Sequence, residues 1–266
     1  MALPLVSVIV PAYNAENTVV SSLNSILSQD YPALEVIVAN DCSQDRTLAL
    51  CQELAQKDER LHVLALPKSG VAGARNAALK AARGELVMFC DSDDTMIPGA
   101  VRHMAEGIGA CDLMIAHFNF VLGSMSSDRG LLSGERVLSE GDFFTVLLDR
   151  PGSFYYSALW NKMYRMDLIR QLQLSFDPFL SWGEDFAFNM QYNRAVSSVR
   201  VTDMPIYNYV KSLSGTSVRT LSHPLHSLAI KKRLYRHFKG LYLEKGMYAA
   251  NRFKVHRYIV NVTLED

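Results

Sequence analysis

The chain has 266 residues, is 49% hydrophobic and balances 27 Lys/Arg against 27 Asp/Glu, so it can bury one large core or two modest ones. No stretch of about 18 or more apolar residues lacks charges, so no membrane span is expected. The N-terminus MALPLVSVIV has no basic region, so no signal peptide is read, and Cys42, Cys51, Cys90 and Cys111 lack CxxC spacing and read as reduced, part-buried thiols of a cytoplasmic chain.

The first third alternates two periods. Val6 to Val10 is a β-branched run, and Val19, Leu23, Ile26 and Leu27 then share one helical face within Thr18 to Leu27. Val36 to Ala39 predicts a second strand and Asp45 to Ala55 a second helix; His62 to Leu66 a third strand, Val71 to Ala82 an alanine-rich helix, and Leu86 to Cys90 a fourth strand. Short connections between strands and helices predict an α/β fold, a Rossmann-like, mostly parallel sheet with helices on both faces. Beyond residue 99 the pattern loosens. Gly99 to Ile108 predicts a helix, Leu113 to Phe120 a strand and Gly123 to Gly134 an exposed loop or hairpin. Further helices are expected near Glu140 to Leu148, near Glu184 to Ala195, and twice after His223, with a break near Gly246.

Each early strand runs into a polar cluster: PAYNAE after the first, NDCSQD after the second, PKSGVAGARN after the third and DSDD after the fourth. In an open parallel sheet, ligands bind outside the carboxyl ends of the strands, so the four clusters are expected along one rim. Asp45 suits a helix cap, whereas Asp41, at the strand edge, could accept from a base N–H. GVAGARN is neither a dinucleotide fingerprint nor a phosphate loop, but Arg75 lies in the first turns of a helix, where a fixed positive charge can meet a phosphate. In DSDD, the preference of acids for helix N-termini accounts for Asp94 and not for Asp91, which ends a buried strand. Oxygen ligands grouped this tightly suit Mg2+ or Mn2+, with substrate phosphates completing the octahedron.

SVIVPAYNAE, VANDCSQDRT, GVAGARNAAL and FCDSDD, followed by WNKMYRMDLI and WGEDFAF, resemble in this order the family 2 glycosyltransferases with the GT-A fold, over residues 3 to 215. The resemblance implies an inverting, metal-dependent transferase that moves a sugar from a nucleotide-diphosphate donor, a UDP-sugar, to a glycan or lipid-linked glycan of the cell surface. It places Pro11, Tyr13, Asn14 and Glu16 in the nucleotide pocket, Asp41 on the uracil ring, Arg75 near base or diphosphate, and Asp91 with Ser92 at the ribose. Asp93 would hold the Mn2+ or Mg2+ with Asp94 as support, and Asp185 would be the catalytic base beside Glu184. Trp182 and Phe186 suit the face of a sugar as flat apolar rings, or are plain core residues, and Asn161 and Lys162 would touch the acceptor or order its wall, a salt-bridged surface lysine being the plain alternative. The chain departs from the family's Asp-Asp-Gly-Ser at Asn40-Asp41-Cys42-Ser43, where Cys42 must avoid a positive φ or be strained.

The implied division is a donor half, 1–98, an acceptor half, 99–215, and a basic amphipathic helical extension, 216–266. Tyr207, Tyr209 and Ser214 would belong to a lid over the donor, although tyrosines at i and i+2 also mark a half-buried strand. From Lys211 to Arg257 there are eleven Lys/Arg against one acid, Glu244. This cationic segment is either a contact with the inner membrane surface or a solvated face packed on an acidic body. No nucleic-acid module accompanies it. Two rivals are a sugar-phosphate nucleotidyltransferase, which would carry a Gly- and Lys/Arg-rich loop where PAYNAE stands, and a non-catalytic nucleotide-sugar-binding protein.

Overall fold

A computed structural model describes residues 3–211 and 224–261. Strands β1 (Val6–Ala12), β2 (Leu34–Asp41), β3 (Leu61–Leu66) and β4 (Leu86–Phe89) lie parallel in the order β3-β2-β1-β4. Parallel neighbours need crossovers, supplied by α1 (Val19–Leu27), α2 (Thr47–Ala55) and α3 (Gly70–Ala81). After β3 the chain returns past β1, so the strand order switches there and a crevice opens at the carboxyl ends of β1 and β4.

Strands β1, β2 and β4 are buried along their whole length, and most of their positions are apolar; the buried Ser7 and Glu35 are satisfied by bonding each other. Val6, Val8 and Val10 face a core with Val19, Leu23 and Ile26 of α1, whereas Ile9 faces the opposite core with Ala74 and Ala78 of α3. The parallel half therefore follows the pattern read from sequence, strand by strand.

The second half is mixed. The short strand β9 (Lys162–Arg165) inserts antiparallel between β4 and β6 (Leu113–Leu122), and β10 (Ser198–Val210) runs parallel to β6. The glycine-bearing stretch is a hairpin: β7 (Met125–Arg129) folds back on β6 through Gly123, at φ +59°, a conformation glycine adopts without strain. Two further short strands, β5 (Thr95–Met96) and β8 (Arg136–Ser139), pair antiparallel with β10. Helix α4 (Ala100–Gly107) covers the face of α1, and α5 (Glu140–Leu147), α6 (Phe154–Ser157), α7 (Met166–Gln171) and α8 (Glu184–Tyr192) add to the other.

The basic C-terminal segment forms α9 (Pro224–Glu244) and α10 (Tyr248–Asn261). Ile230, Leu234, Phe238, Leu241, Tyr242 and Val255 are buried in the same core as α8. The helices are thus packed into the domain rather than appended to it. Part of their charge is matched to the acidic body: Arg233 pairs with Asp177, Lys245 with Glu140 and Lys254 with Asp149. Among the described residues no helix is long and apolar enough to cross a membrane.

Candidate active site

The loops after β1 and β2 are laced to each other. Asn14 donates its N–H to Ser43 Oγ at 3.0 Å and accepts the Gln44 N–H at 2.8 Å. Glu16 donates its N–H to Asp45 Oδ2, and its own carboxylate accepts the Arg46 N–H, both at 3.1 Å. Asp45 also accepts the Thr47 N–H at 2.9 Å, satisfying the first N–H of α2 from one position before its N-cap residue, Arg46. Asn14 and Cys42 sit at φ +50° and +59°. The Asn side chain tolerates that region, but Cys42 is strained there, the second of the outcomes the sequence allowed.

Asp41 is buried beneath the start of α3. Its Oδ1 accepts the Ser69 N–H at 2.6 Å and the Ser69 hydroxyl at 3.0 Å, and Oδ2 accepts the Gly70 N–H at 3.0 Å and Lys68 Nζ at 2.5 Å. Burial opposes ionisation, yet the bonds from Lys68 and Ser69 and the Lys68 charge outweigh it and hold the carboxyl below its usual range. Lys68, a residue that no motif singled out, lies 3.0 Å from the centroid of the exposed Tyr13 ring. Pro11 is buried inside β1, paired with Ala39, and Ser92 is half-buried in the turn after β4.

Three carboxylates converge on one buried guanidinium. Arg75, on α3, donates from Nη1 to Glu184 Oε1 at 2.9 Å and Asp185 Oδ1 at 2.6 Å, and from Nη2 to Asp91 Oδ1 at 3.0 Å. One cation thus faces three acids drawn from the end of β4 and the start of α8. Burial raises the Asp185 carboxyl well above the ordinary range; Arg75 pulls it down, and the charges of Glu184 and Asp91 add to the rise. Arg75 stays protonated, because the three acids overcome the burial that disfavours its charge.

Within DSDD the roles separate. Asp94 turns inward, accepting the Tyr207 hydroxyl at 2.8 Å and the Val210 N–H at 2.7 Å. Burial, then the charge of Asp91, pushes its carboxyl up to about 8. Asp91 is engaged by Arg75, which leaves Asp93 as the exposed carboxylate of the run. Although solvent reaches Asp93, partial desolvation in the crowded cleft and the Asp91 charge raise its carboxyl, the response of an acid in a site short of positive charge. Among the described residues no group of three His, Cys, Asp or Glu could hold a metal ion by itself. A donor set of one carboxylate with ligand phosphates fits Mg2+ or Mn2+, which keep much of their shell for phosphate and water.

The model of glycosyl transferase family 2 matches residues 7–173. The chain belongs to glycosyltransferase family 2. It is 31% identical over 212 residues to the uncharacterized glycosyltransferase EpsJ of Bacillus subtilis, covering 78% of this chain and 61% of EpsJ. It is 34% identical over 194 residues to the succinoglycan biosynthesis protein ExoO of Rhizobium meliloti, covering 69% of this chain and 54% of ExoO. Among solved structures, residues 1–349 of TarS from Staphylococcus aureus in complex with UDP-GlcNAc superpose with TM-score 0.69 at 26% identity, over 90% of this chain and 66% of that one. The fold is the GT-A fold that the sequence led us to expect. The chain spans less than two thirds of the length of EpsJ and ExoO.

Several family-derived placements change on the GT-A frame. Asn161 and Lys162 are buried and do not line the cleft. Lys162 Nζ donates to Tyr155 O at 2.9 Å, Ala158 O at 2.6 Å and Asn161 Oδ1 at 2.8 Å, carbonyls at the end of α6 that satisfy an amine whose burial favours its neutral form. That burial leaves neither contact with substrate nor a surface salt bridge. Tyr207 is no lid: its ring is buried, stacked 4.7 Å from Trp160, and its hydroxyl accepts the Asp91 N–H at 3.0 Å. Ser214 lies outside the described residues. Phe186 is buried and stacks on Tyr258 at 5.0 Å, so it offers no face to a sugar, while Trp182 is half-buried against the same core.

The start of α8 has a support that the sequence did not reveal. Gly183, at φ +76°, precedes α8, and a Cβ there would lie 2.6 Å from Leu234 Cδ1 of α9. The helix segment read as an extension therefore presses against the turn that carries Glu184 and Asp185. A glycine in WGED followed by an amphipathic helix was the available signal, but nothing in the sequence pairs residues 183 and 234.

Proposed function

We propose that this chain transfers a sugar from a nucleotide-diphosphate donor, a UDP-sugar, to a hydroxyl of a glycan or lipid-linked glycan, inverting the anomeric carbon, in cell-surface polysaccharide assembly. The observation that carries the proposal is the convergence of Asp91, Glu184 and Asp185 on Arg75 at the switch in strand order, beside the exposed Asp93. Support for the donor class comes from the UDP-GlcNAc complex of TarS, and for the pathway class from the succinoglycan role in the name of ExoO.

In this proposal the acceptor hydroxyl attacks the anomeric carbon from the face opposite the departing diphosphate. Asp185 takes the hydroxyl proton as the new C–O bond forms and the bond to the diphosphate breaks. A carboxyl raised by burial is the stronger proton acceptor, and Arg75 holds it in place through Oδ1. Asp93 would hold Mn2+ or Mg2+, which when bound offsets the negative charge of the leaving diphosphate. Tyr13, Asn14 and Glu16 would line the nucleotide pocket, with Asp41 fixing Lys68 and the start of α3 at its wall. Asp91 and Ser92 would face the ribose, and Trp182 and Glu184 the acceptor side.

Asp185→Asn tests this directly. The substitution preserves shape, so UDP-sugar binding by calorimetry should persist while transfer falls by about 10²–10⁴-fold. Turnover above roughly a tenth of wild type would remove Asp185 from the reaction.

A further inference from the structure

Helices α9 and α10 sort their cations into two sets. Arg233, Lys245 and Lys254 meet acids of the body, whereas Lys231, Lys232, Arg236, Lys239, Arg252 and Arg257 have no carboxylate within ion-pair distance among the described residues. Four of the second set, Lys232, Arg236, Lys239 and Arg252, gather on one side. Leu228, Lys232, Tyr235, Arg236, Lys239 and Leu243 fall along one line of α9, opposite the buried Ile230, Leu234 and Leu241. His256 of α10 hydrogen-bonds both Tyr235, at 2.9 Å, and Tyr248, at 3.0 Å, and Lys239 Nζ lies 5.0 Å from the Tyr248 ring. These contacts bring α10 alongside the stripe and place Arg252 and Phe253 next to it.

The face mixes charge with exposed apolar side chains. Phe253 is 77% exposed, Leu243 53% and Leu228 44%, and Arg252 lies 4.8 Å from the Phe253 ring. A soluble polyanion would use the cations and gain nothing from the apolar groups. An anionic bilayer uses both, drawing Lys and Arg to its headgroups and taking Phe and Leu below them.

We propose that this face of α9 and α10 docks on an anionic phospholipid surface. The opposite side of α9 carries Leu234 against the Gly183 turn, so the bilayer contact lies about one helix diameter, roughly 10 Å, from the start of α8, which bears Asp185. Such docking would present the cleft to acceptors held at the membrane. The inference goes beyond the transfer reaction and is measured without turnover, so it stands or falls independently of the role of Asp185.

The test is co-sedimentation of the full chain with vesicles of mixed phosphatidylglycerol and phosphatidylcholine, and with phosphatidylcholine alone. Binding is expected only with phosphatidylglycerol, weakening as salt is raised. Neutralising the stripe in Lys232→Gln/Arg236→Gln/Lys239→Gln should weaken it about a hundredfold, from roughly fivefold per cation. Phe253→Ser should weaken it roughly tenfold while leaving the melting temperature unchanged, since the ring touches little of the core. No binding to phosphatidylglycerol vesicles at low salt overturns the proposal. So does binding that is untouched by Phe253→Ser and abolished by soluble polyphosphate, which would mark a polyanion site instead.

Discussion

Gly183→Ala probes the contact between α9 and the turn that starts α8. The added Cβ would lie 2.6 Å from Leu234 Cδ1, about 1 Å inside the usual carbon contact distance. Overpacking of this kind costs typically 1–3 kcal/mol, and holding Ala at φ +76° adds about 1–2 kcal/mol. The turn can relieve roughly 2–5 kcal/mol of strain by shifting, and a shift there moves Glu184 and Asp185 relative to Arg75. A 1 Å misplacement of a reacting group can cost about a hundredfold in rate. Steady-state kinetics should therefore show kcat reduced by at least tenfold to a hundredfold, with UDP affinity unchanged. Leu234→Ala removes the obstructing methyl, so it should be less harmful, or even beneficial, when combined with Gly183→Ala. A double-mutant cycle on kcat measures that coupling, expected at about 1–3 kcal/mol. Wild-type kcat in Gly183→Ala, or purely additive effects in the pair, would refute the mechanical link.

Three other outcomes follow from the site. Cys42→Gly removes a left-handed strain of about 1–2 kcal/mol against an entropic penalty of roughly 0.5–1 kcal/mol for glycine, so thermal melting should rise by a few degrees; a fall would show that φ +59° is not strained. Arg75→Lys replaces a fork that reaches three carboxylates with a single ammonium; both melting temperature and kcat should drop, and retention of both would deny Arg75 its positioning role. As the proposed base, Asp185 would act only when deprotonated, and its carboxyl is raised, so kcat should decline as pH falls through a value above the ordinary carboxylate range of about 4; a rate flat down to pH 4 contradicts that assignment.

The parallel half was legible because its signals are local. Val6 to Val10 and Val36 to Ala39 are apolar on both faces, and the Val19, Leu23, Ile26 spacing is helical by inspection. β9 was not legible: KMYR has no alternation, and its strand character comes from pairing with Leu86 and Leu113, remote in sequence. Lys162 misled for the same reason, since a lysine reads as surface until the carbonyls of Tyr155 and Ala158 are brought to it. Asp41, Asp91 and Asp93 were found from strand ends and Glu184 and Asp185 from the resemblance of WGEDFAF, but not their sharing of Arg75, from which Glu184 and Asp185 stand 109 and 110 residues away. Tyr207 was ambiguous between lid and strand because burial, which decides it, depends on Trp160 stacking on its ring.

The central claim is that the strand-end carboxylates form a cation-assisted nucleotide site, with Asp93 supplying the protein's ligand. Titration calorimetry of UDP, with and without Mn2+, on the wild type and on Asp93→Asn tests it most directly. UDP should bind the wild type tightly only when Mn2+ is present, and the variant at least tenfold more weakly with its melting temperature preserved. Equal UDP affinity in all four titrations, or no binding in any, would contradict it.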